Sequence, residues 1–289
     1  MSALLSVRGL VKEYPQRGGK RGEVFRAIDG IDFDLREGST LAIVGESGSG
    51  KSTTGRCVLR LTEPTSGSVT YDGVDLLGLD AERMRAQRAH MQIVFQDTYA
   101  SLDPRWTVGR LLAEPLRLRE RLTPGQQCTR VGEMLELVGL EAEHADRYPH
   151  EFSGGQRQRI GIARALMLKP RLVVCDEPVS ALDVSVQAQV LNLMKDLQDE
   201  LGLSYLFISH DIAVVEFMAD DVIVMNKGRV VESGVCAQVL ADPKDPYTRA
   251  LLAAVPVPDP DALEDRAMRR AVIEAGLAAP VGGDSERAR

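Results

Sequence analysis

A short apolar run at residues 41–44 leads directly into a glycine-rich segment. That segment fits the pattern G-x-x-x-x-G-K-[ST] and reads Gly45-Glu46-Ser47-Gly48-Ser49-Gly50-Lys51-Ser52-Thr53. Glycines let a loop wrap closely around phosphate oxygens, and the N-terminus of the helix expected next adds positive potential. The sequence therefore predicts a strand, a phosphate-binding loop and a helix in direct succession.

Two side chains of this loop are expected to contact a nucleoside triphosphate. Lys51 would reach the β- and γ-phosphates, and the Ser52 hydroxyl would ligate Mg²⁺. A second group for the metal is expected at the end of a neighbouring strand, where Asp176 ends the apolar run 172–175 and Glu177 follows. Because the chain begins to turn at a strand end, one carboxylate can hold the metal's water while the other faces the attacking water.

Strand-like and helix-like segments alternate along most of the chain. Apolar runs at 172–175, 205–208 and 222–225 are typical of buried strands, and a long amphipathic pattern between the first two ends at Gly202. This alternation predicts an α/β fold with a largely parallel sheet. Residues 80–171 are predicted to be mostly helical, as an insertion between two halves of the sheet.

Composition and charge exclude several classes of protein. The chain has 289 residues, 44% of them hydrophobic, which is too apolar for a disordered chain. Its apolar runs are far shorter than the roughly 20 residues of a transmembrane helix. The net charge of −7 argues against broad nucleic-acid binding. Four scattered cysteines without metal or redox spacing favour a reducing compartment.

A second anion-binding helix N-terminus is predicted about a hundred residues further on. The segment reads Glu151-Phe152-Ser153-Gly154-Gly155-Gln156-Arg157-Gln158-Arg159, and a helical pattern follows from residue 160. Ser153 is a good N-cap, and the two glycines allow close approach of a ligand. One nucleotide cannot easily bridge both sites within one chain, so a facing copy is an attractive explanation.

At this point the sequence strongly resembles the ATP-binding subunits of ABC transporters. The stretch Ser153-Gly154-Gly155-Gln156 is similar to the family's signature motif, and Phe152 precedes it where many members carry Leu. Six further motifs match in the family's order. Besides the phosphate loop and the Asp-Glu pair, these are Tyr14, Gln96 in Val94-Phe95-Gln96-Asp97, Ser180-Ala181-Leu182-Asp183, and His210 after Phe207-Ile208-Ser209.

The resemblance implies a role for each matching residue. Tyr14 would stack on adenine. Gln96 would sense the γ-phosphate, join Ser52 and Asp176 around the Mg²⁺ ion, and couple to the membrane subunits. The loop 180–183 would cross the dimer interface, and His210 would contact the γ-phosphate while Glu177 polarises the attacking water. Two chains would dimerise head to tail, with each ATP between Lys51 of one chain and residues 153–155 of the other.

The family's fold is implied as well. It is an ABC-type P-loop NTPase with a RecA-like parallel sheet core, an N-terminal antiparallel β subdomain and an inserted helical subdomain. We expect an ATPase domain over residues 1–235, with the helical subdomain at about 97–168. Residues 236–289 would form a C-terminal extension of the oligopeptide-importer type, with a flexible tail from about 261.

Several longer segments narrow the resemblance to the dipeptide and oligopeptide importer subfamily. They lie at residues 97–105, 148–152, 178–185, 245–251 and 255–260. The subfamily implies two transmembrane permease subunits, a second ATP-binding subunit (a paralogue or this chain itself), an extracytoplasmic substrate-binding protein and a location on the cytoplasmic face of the membrane. Asp245 departs from the subfamily's usual His before Pro-Tyr, and the usual cysteine-bearing C-terminal segment is missing.

The sequence leaves alternative functions open. Close relatives of this type of subunit serve nickel and glutathione transport, and the ATPase itself never touches the cargo. A more remote alternative is an ABC ATPase that acts on nucleic acid or the ribosome. Only about a hundred residues separate Ser52 from Ser153, which leaves no room for the long coiled coils of chromosome and repair members. A P-loop kinase or GTPase would have no use for residues 153–156.

Overall fold

Two β-sheets organise the chain, as seen in a computed structural model that describes residues 3–15, 24–97 and 101–254. The strands follow one another as β1 (Ala3–Pro15), β2 (Val24–Arg36), β3 (Thr40–Val44), β4 (Ser66–Tyr71), β5 (Val74–Asp75), β6 (Met91–Val94), β7 (Leu172–Asp176), β8 (Ser204–Ile208), β9 (Asp221–Asn226) and β10 (Arg229–Val235). Strands β1, β2, β4 and β5 form an antiparallel sheet in the order β2-β1-β4-β5. The other six form the central sheet.

Helices connect the strands of the central sheet. They are α1 (Lys51–Val58), α2 (Ala81–Gln87), α3 (Val108–Arg119), α4 (Pro124–Leu137), α5 (Gly154–Leu166), α6 (Val184–Leu201), α7 (Ile212–Met218), α8 (Cys236–Ala241) and α9 (Pro246–Ala253). Two short 3₁₀ helices lie at Ala142–Asp146 and Pro149–Glu151. Within the described ranges, no helix combines the length and the apolar character that a membrane span requires.

The central sheet brings three strand ends to one level. Its order is β10-β9-β3-β8-β7-β6, and all neighbours are parallel except β10 and β9. Every residue of β3, β7 and β8 is buried, as expected for strands covered on both faces. Ile208 in β8 pairs with Ile43 in β3 and with Asp176 in β7. The phosphate loop, Asp176 and the residues after Ile208 therefore meet at the same carboxyl edge.

The predicted α/β class is confirmed, including the antiparallel β subdomain and the helical insertion. The prediction that residues 80–171 are mostly helical is wrong for β6, which forms the edge strand beside β7. Only four residues make up β6, with Gln92 among apolar neighbours, so neither alternation nor a long apolar run marks it. The insertion, with α3, α4 and the 3₁₀ helices, follows this strand.

Glycines in the left-handed conformation lie at or just after the C-terminal ends of two helices. Gly202 adopts the left-handed conformation at the C-terminus of α6, with φ of 65°. Gly139, two residues beyond α4, has φ of 71°. The tail predicted from about 261 lies outside the described residues. The chain divides into a unit of residues 1–252 and a second unit from residue 253, of which only residues 253 and 254 are described.

Candidate active site

The phosphate loop is held between β3 and α1, with its second half pressed against β2. Gly50 is the residue before α1 and has φ of 106°. A Cβ atom at Gly50 would overlap the carbonyl oxygen of Ala27 in β2. Only glycine tolerates both that close approach and that backbone conformation. The first N–H groups of α1 have no partner within the helix, so they can receive an anion.

Lys51 lies inside the loop rather than in solvent. Its residue is 5% exposed, and its Nζ atom donates hydrogen bonds to the carbonyl oxygens of Gly45, at 2.7 Å, and Glu46, at 2.9 Å. Burial lowers the pKa of Lys51, while the nearby carboxylates of Glu177 and Asp176 act in the opposite direction. The ammonium group therefore lies within the loop, at the position where a phosphate-binding lysine is expected.

Ser52 and Asp176 form a pair of oxygen ligands suited to a hard cation. The Ser52 hydroxyl donates a hydrogen bond of 2.6 Å to Oδ1 of Asp176, whose residue is 4% exposed. Mg²⁺ typically binds through one or two protein oxygens together with phosphates and water. Among the described residues, no group of three or more acidic, His or Cys side chains is arranged so that it could hold a metal ion. The donor set therefore fits an ion that arrives with a nucleotide.

Glu177 turns away from Asp176 because its backbone is left-handed. Its φ is 51°, which is rare for a residue other than glycine. The Glu177 N–H donates a hydrogen bond of 3.0 Å to the carbonyl of Ile208. Its carboxylate then lies 3.1 Å from Nδ1 of His210, which follows β8. The two adjacent carboxylates thus have different partners, as the sequence predicted for a turning strand end.

A cleft of about 400 Å³ lies in front of these groups, within the size range of small-molecule sites. The residues that line it are Tyr14, Phe25, Ala27, Ser47, Gly48, Gly50, Lys51, Ser52, Thr53, Gln96 and Glu177. The structure thus brings Tyr14 and Gln96, both singled out by the family resemblance, to the phosphate loop. Of the remaining loop residues, Gly45 and Ser49 are buried and Glu46 is exposed.

Phe25 was missed by sequence reasoning. It is the cross-strand partner of Tyr14 in the β1–β2 pair and is 55% exposed, so two aromatic rings stand at one end of the cleft. The register of β1 against β2 brings it there, and the intervening loop gives no motif that would fix this register. The only signal in the sequence would have been an aromatic residue at a position of the second strand that could pair with Tyr14.

Residues 153–156 cap α5 and lie apart from this lining. The Ser153 hydroxyl accepts a hydrogen bond of 3.3 Å from the Gln156 N–H, and the Gln156 side chain accepts one of 3.0 Å from the Ser153 N–H. This reciprocal capping box confirms Ser153 as the predicted N-cap. Gly155 packs so closely on Val186 of α6 that a Cβ atom would overlap it. Among the described residues that line the cleft, none comes from 153–156.

Sequence profiles and known proteins agree with this geometry. The profile of the ABC transporter family matches residues 28–180. The profile described as "Oligopeptide/dipeptide transporter, C-terminal region" matches residues 231–280. The dipeptide transport ATP-binding protein DppF of Haemophilus influenzae is 54% identical over 265 residues, which cover 91% of this chain and 81% of that protein.

Two further proteins extend the comparison. DppF of Escherichia coli is 51% identical over 281 residues, covering 96% of this chain and 84% of DppF. A solved structure of the ATP-binding cassette MJ0796, described as dimeric, in a post-hydrolysis state and bound to ADP and Pi, superposes with a TM-score of 0.72 at 30% identity. The match covers 80% of this chain and 98% of that cassette. The chain therefore belongs to the ABC transporter family, as one of its ATP-binding members.

Proposed function

We propose that the chain is the ATP-hydrolysing subunit that energises import of di- or oligopeptides through separate membrane-spanning subunits. One observation supports the ATPase assignment. At one edge of the central sheet lie Lys51, the Ser52–Asp176 pair and the Glu177–His210 pair. Positioning and electrostatics dominate phosphoryl transfer, and this edge supplies both. The two DppF relatives carry dipeptide transport in their names, and the profile matched at residues 231–280 is described as that of oligopeptide/dipeptide transporters, which supports peptides as cargo.

Each group of the site has a part in the proposal. Lys51 leaves the loop carbonyls and binds the β- and γ-phosphates. Ser52, Asp176 and Gln96 hold Mg²⁺, which neutralises phosphate charge when it is bound. Glu177 accepts a proton from the attacking water, and His210 orients Glu177 and the γ-phosphate. Tyr14, opposite Phe25, stacks on the adenine ring.

A second ATP-binding subunit completes the site in this proposal. The N-terminus of α5 is capped, carries exposed Ser153 and Gly154, and lies outside the cleft lining of its own chain. This arrangement supports a site in which the facing subunit's residues 153–155 contact the nucleotide. The dimeric MJ0796 cassette is described as bound to ADP and Pi, which agrees with a shared site. The partner is either a second copy of this chain or a paralogue.

The permease subunits are proposed to dock beside Gln96. A groove of about 190 Å³ there is lined by the end of β6 and by α3 and α5, including Phe95, which is 39% exposed, Pro115 and Arg164. In this proposal the chain lies on the cytoplasmic face of the membrane and an extracytoplasmic protein delivers the peptide. Residues 1–235 form the ATPase domain, with the helical subdomain at about 97–168, and residues 236–289 form the extension.

One reconstitution tests this function. The chain would be assembled with its two permease subunits and second ATPase subunit in lipid vesicles, and ATP hydrolysis measured with and without peptide-loaded binding protein. Loaded binding protein should stimulate hydrolysis, and Lys51→Ala should abolish it by removing the phosphate contact. Lys195→Ala, at a lysine of α6 that does not line the cleft, is the matched control. Normal turnover by Lys51→Ala, or stimulation by RNA or DNA instead of the loaded binding protein, contradicts the proposal.

A further inference from the structure

A side chain from the C-terminal part of the chain contacts the phosphate loop directly. The hydroxyl of Tyr247, in α9, accepts a hydrogen bond of 3.1 Å from the backbone N–H of Glu46. Glu46 is the second residue of the loop and is exposed. The contact joins residues 201 positions apart. Nothing in the loop motif or in its expected chemistry requires this partner.

The Tyr247 ring is held in place by packing. It is partly buried and packs, together with Leu251 of α9, against an apolar cluster that includes Ala42 and Val44 of β3. Val44 is the last residue before the phosphate loop. The ring therefore packs against a cluster to which the strand before the loop contributes, and its hydroxyl bonds to the loop itself. A packed aromatic ring loses little further rotamer freedom when its hydroxyl bonds.

Two carboxylates fix the start of α9 and hence the position of Tyr247. Oδ1 of Asp245 accepts hydrogen bonds from the N–H groups of Tyr247, at 2.8 Å, and Thr248, at 3.4 Å. Asp245, which departs from the subfamily's His, thus caps the helix. Glu232 of β10 accepts from the N–H groups of Lys244, at 2.8 Å, and Asp245, at 3.1 Å. A chain of hydrogen bonds and packing thereby connects β10 to the phosphate loop.

We propose that Tyr247 is a positioning residue for the phosphate loop, through which α9 raises the affinity for the phosphates of ATP. The inference rests on the proposed ATPase function. Lys51 holds the Gly45 and Glu46 carbonyls from inside the loop, whereas Tyr247 holds the Glu46 N–H from outside. Tyr247 does not line the cleft, so it contacts the loop without taking the place of the ligand. A loop ordered before binding loses less conformational freedom when ATP arrives.

The test compares two variants of the full chain that each lose one tyrosine hydroxyl. Tyr247→Phe removes the acceptor of the Glu46 N–H and keeps the ring. Tyr71→Phe is the matched control, since its hydroxyl donates to the His90 carbonyl at 3.2 Å and the residue does not line the cleft. Calorimetric titration with Mg²⁺-ATP should give a Kd about three- to tenfold higher for Tyr247→Phe, the range for one lost hydrogen bond. Tyr71→Phe should bind like the parent chain.

Two further readouts separate positioning from general stability. In the assembled transporter, Tyr247→Phe should raise the KM for ATP and leave kcat unchanged, because the groups at Glu177 are intact. Hydrogen exchange at the Glu46 amide should become faster in Tyr247→Phe without nucleotide, and remain unchanged in Tyr71→Phe. By linkage, Mg²⁺-ATP should slow amide exchange in α9 of the parent chain.

Equal or tighter ATP binding by Tyr247→Phe, or unchanged exchange at Glu46, overturns this inference. That result leaves the proposed ATPase intact, provided that the parent chain binds ATP and Lys51→Ala does not. If the parent chain itself fails to bind Mg²⁺-ATP, the proposed function fails instead.

Discussion

The Nδ1 atom of His210 lies 3.1 Å from Oε2 of Glu177. The two residues follow the neighbouring strands β8 and β7, which are level because Ile208 pairs with Asp176. The Glu177 side chain is 17% exposed and that of His210 is 57% exposed, so the carboxylate is sheltered and the imidazole reaches outward. The register of the sheet brings the two side chains together. A histidine that holds a carboxylate in this way can orient it toward a water molecule.

Replacing Glu177 by Gln should separate binding from hydrolysis. The amide keeps the shape of the carboxylate but cannot accept a proton, and a general base contributes about 10²- to 10⁴-fold to rate. We expect Glu177→Gln to bind ATP normally, hydrolyse it at least about a hundredfold more slowly, and accumulate as an ATP-bound dimer. Calorimetry, single-turnover hydrolysis and light scattering measure the three effects. Glu136→Gln, on an exposed face of α4, is the control. A variant that stays monomeric with ATP and hydrolyses it at full rate contradicts the assignment.

The Ser52–Asp176 pair predicts a specific metal defect. Asp176→Asn keeps an oxygen that can accept the Ser52 hydroxyl but removes the negative charge that favours a divalent cation. The Mg²⁺ concentration that gives half-maximal hydrolysis should rise by about tenfold or more in this variant. This shift corresponds to the loss of one charged interaction of roughly 1.4 kcal/mol. A magnesium titration at fixed ATP measures the shift. Asp196→Asn, exposed on α6, should titrate like the parent chain, and an unshifted Asp176→Asn would exclude Asp176 from the metal site.

Sequence reasoning succeeded where a signal is local. The loop 45–50 lies between a strand and a helix, Ser153 caps a helix, and Asp176 and Glu177 have different partners. Each of these features depends on only a few neighbouring residues. The features that sequence reasoning missed depend on contacts between residues far apart in the chain. Strand β6 is too short to show a period, and the Tyr14–Phe25 pair depends on sheet register. The Tyr247–Glu46 contact requires the C-terminal segment to return to β3, which no local pattern encodes.

Ser153→Arg should impair hydrolysis without weakening ATP binding to its own chain. Ser153 lies outside the cleft lining, so the added bulk and charge would disturb a nucleotide held by the facing subunit. The lost N-cap costs about 1 kcal/mol, so urea unfolding must show that the variant remains folded. Calorimetry should give the parent Kd for ATP, and steady-state assays should give little hydrolysis. Ser233→Arg, exposed in β10, is the control for an added arginine.

Mixing Ser153→Arg with Lys51→Ala then tests whether the site is shared. If two copies of this chain form the working pair, a mixed dimer has one site with both defects and one site with neither. Hydrolysis should therefore recover on mixing. Random pairing makes half of the dimers mixed, and each mixed dimer has one of its two sites intact. If the sites work independently, the rate should reach about a quarter of the parent rate. With a paralogous partner, the intact site forms when Ser153→Arg is placed in this chain and the phosphate-loop lysine is removed from the partner. Failure of every such combination to recover activity counts against a shared site.

Glu232 links stability to pH at the base of α9. Burial opposes its ionisation, but the Thr248 side chain, the N–H groups of Lys244 and Asp245 and the charge of Arg249 together outweigh that effect and hold the pKa of Glu232 below its usual value. A carboxyl group with a depressed pKa in the folded state stabilises the fold above its unfolded pKa of about 4.3. That contribution is lost as the pH falls from there through the folded pKa.

We therefore expect Glu232→Gln to lower the free energy of unfolding by about 1 kcal/mol at pH 7, because one charge-assisted acceptor becomes neutral. The difference from the parent chain should shrink as the pH falls below about 4, where Glu232 itself becomes protonated. Urea titrations across this range measure both values. Glu63→Gln is the control, since Glu63 forms an ion pair with Arg60 but its side chain is 65% exposed, and such pairs contribute little. If the difference measured at pH 7 is undiminished at pH 3, Glu232→Gln destabilises the fold through altered packing. It then does not act through loss of the carboxylate charge that the two N–H groups bind.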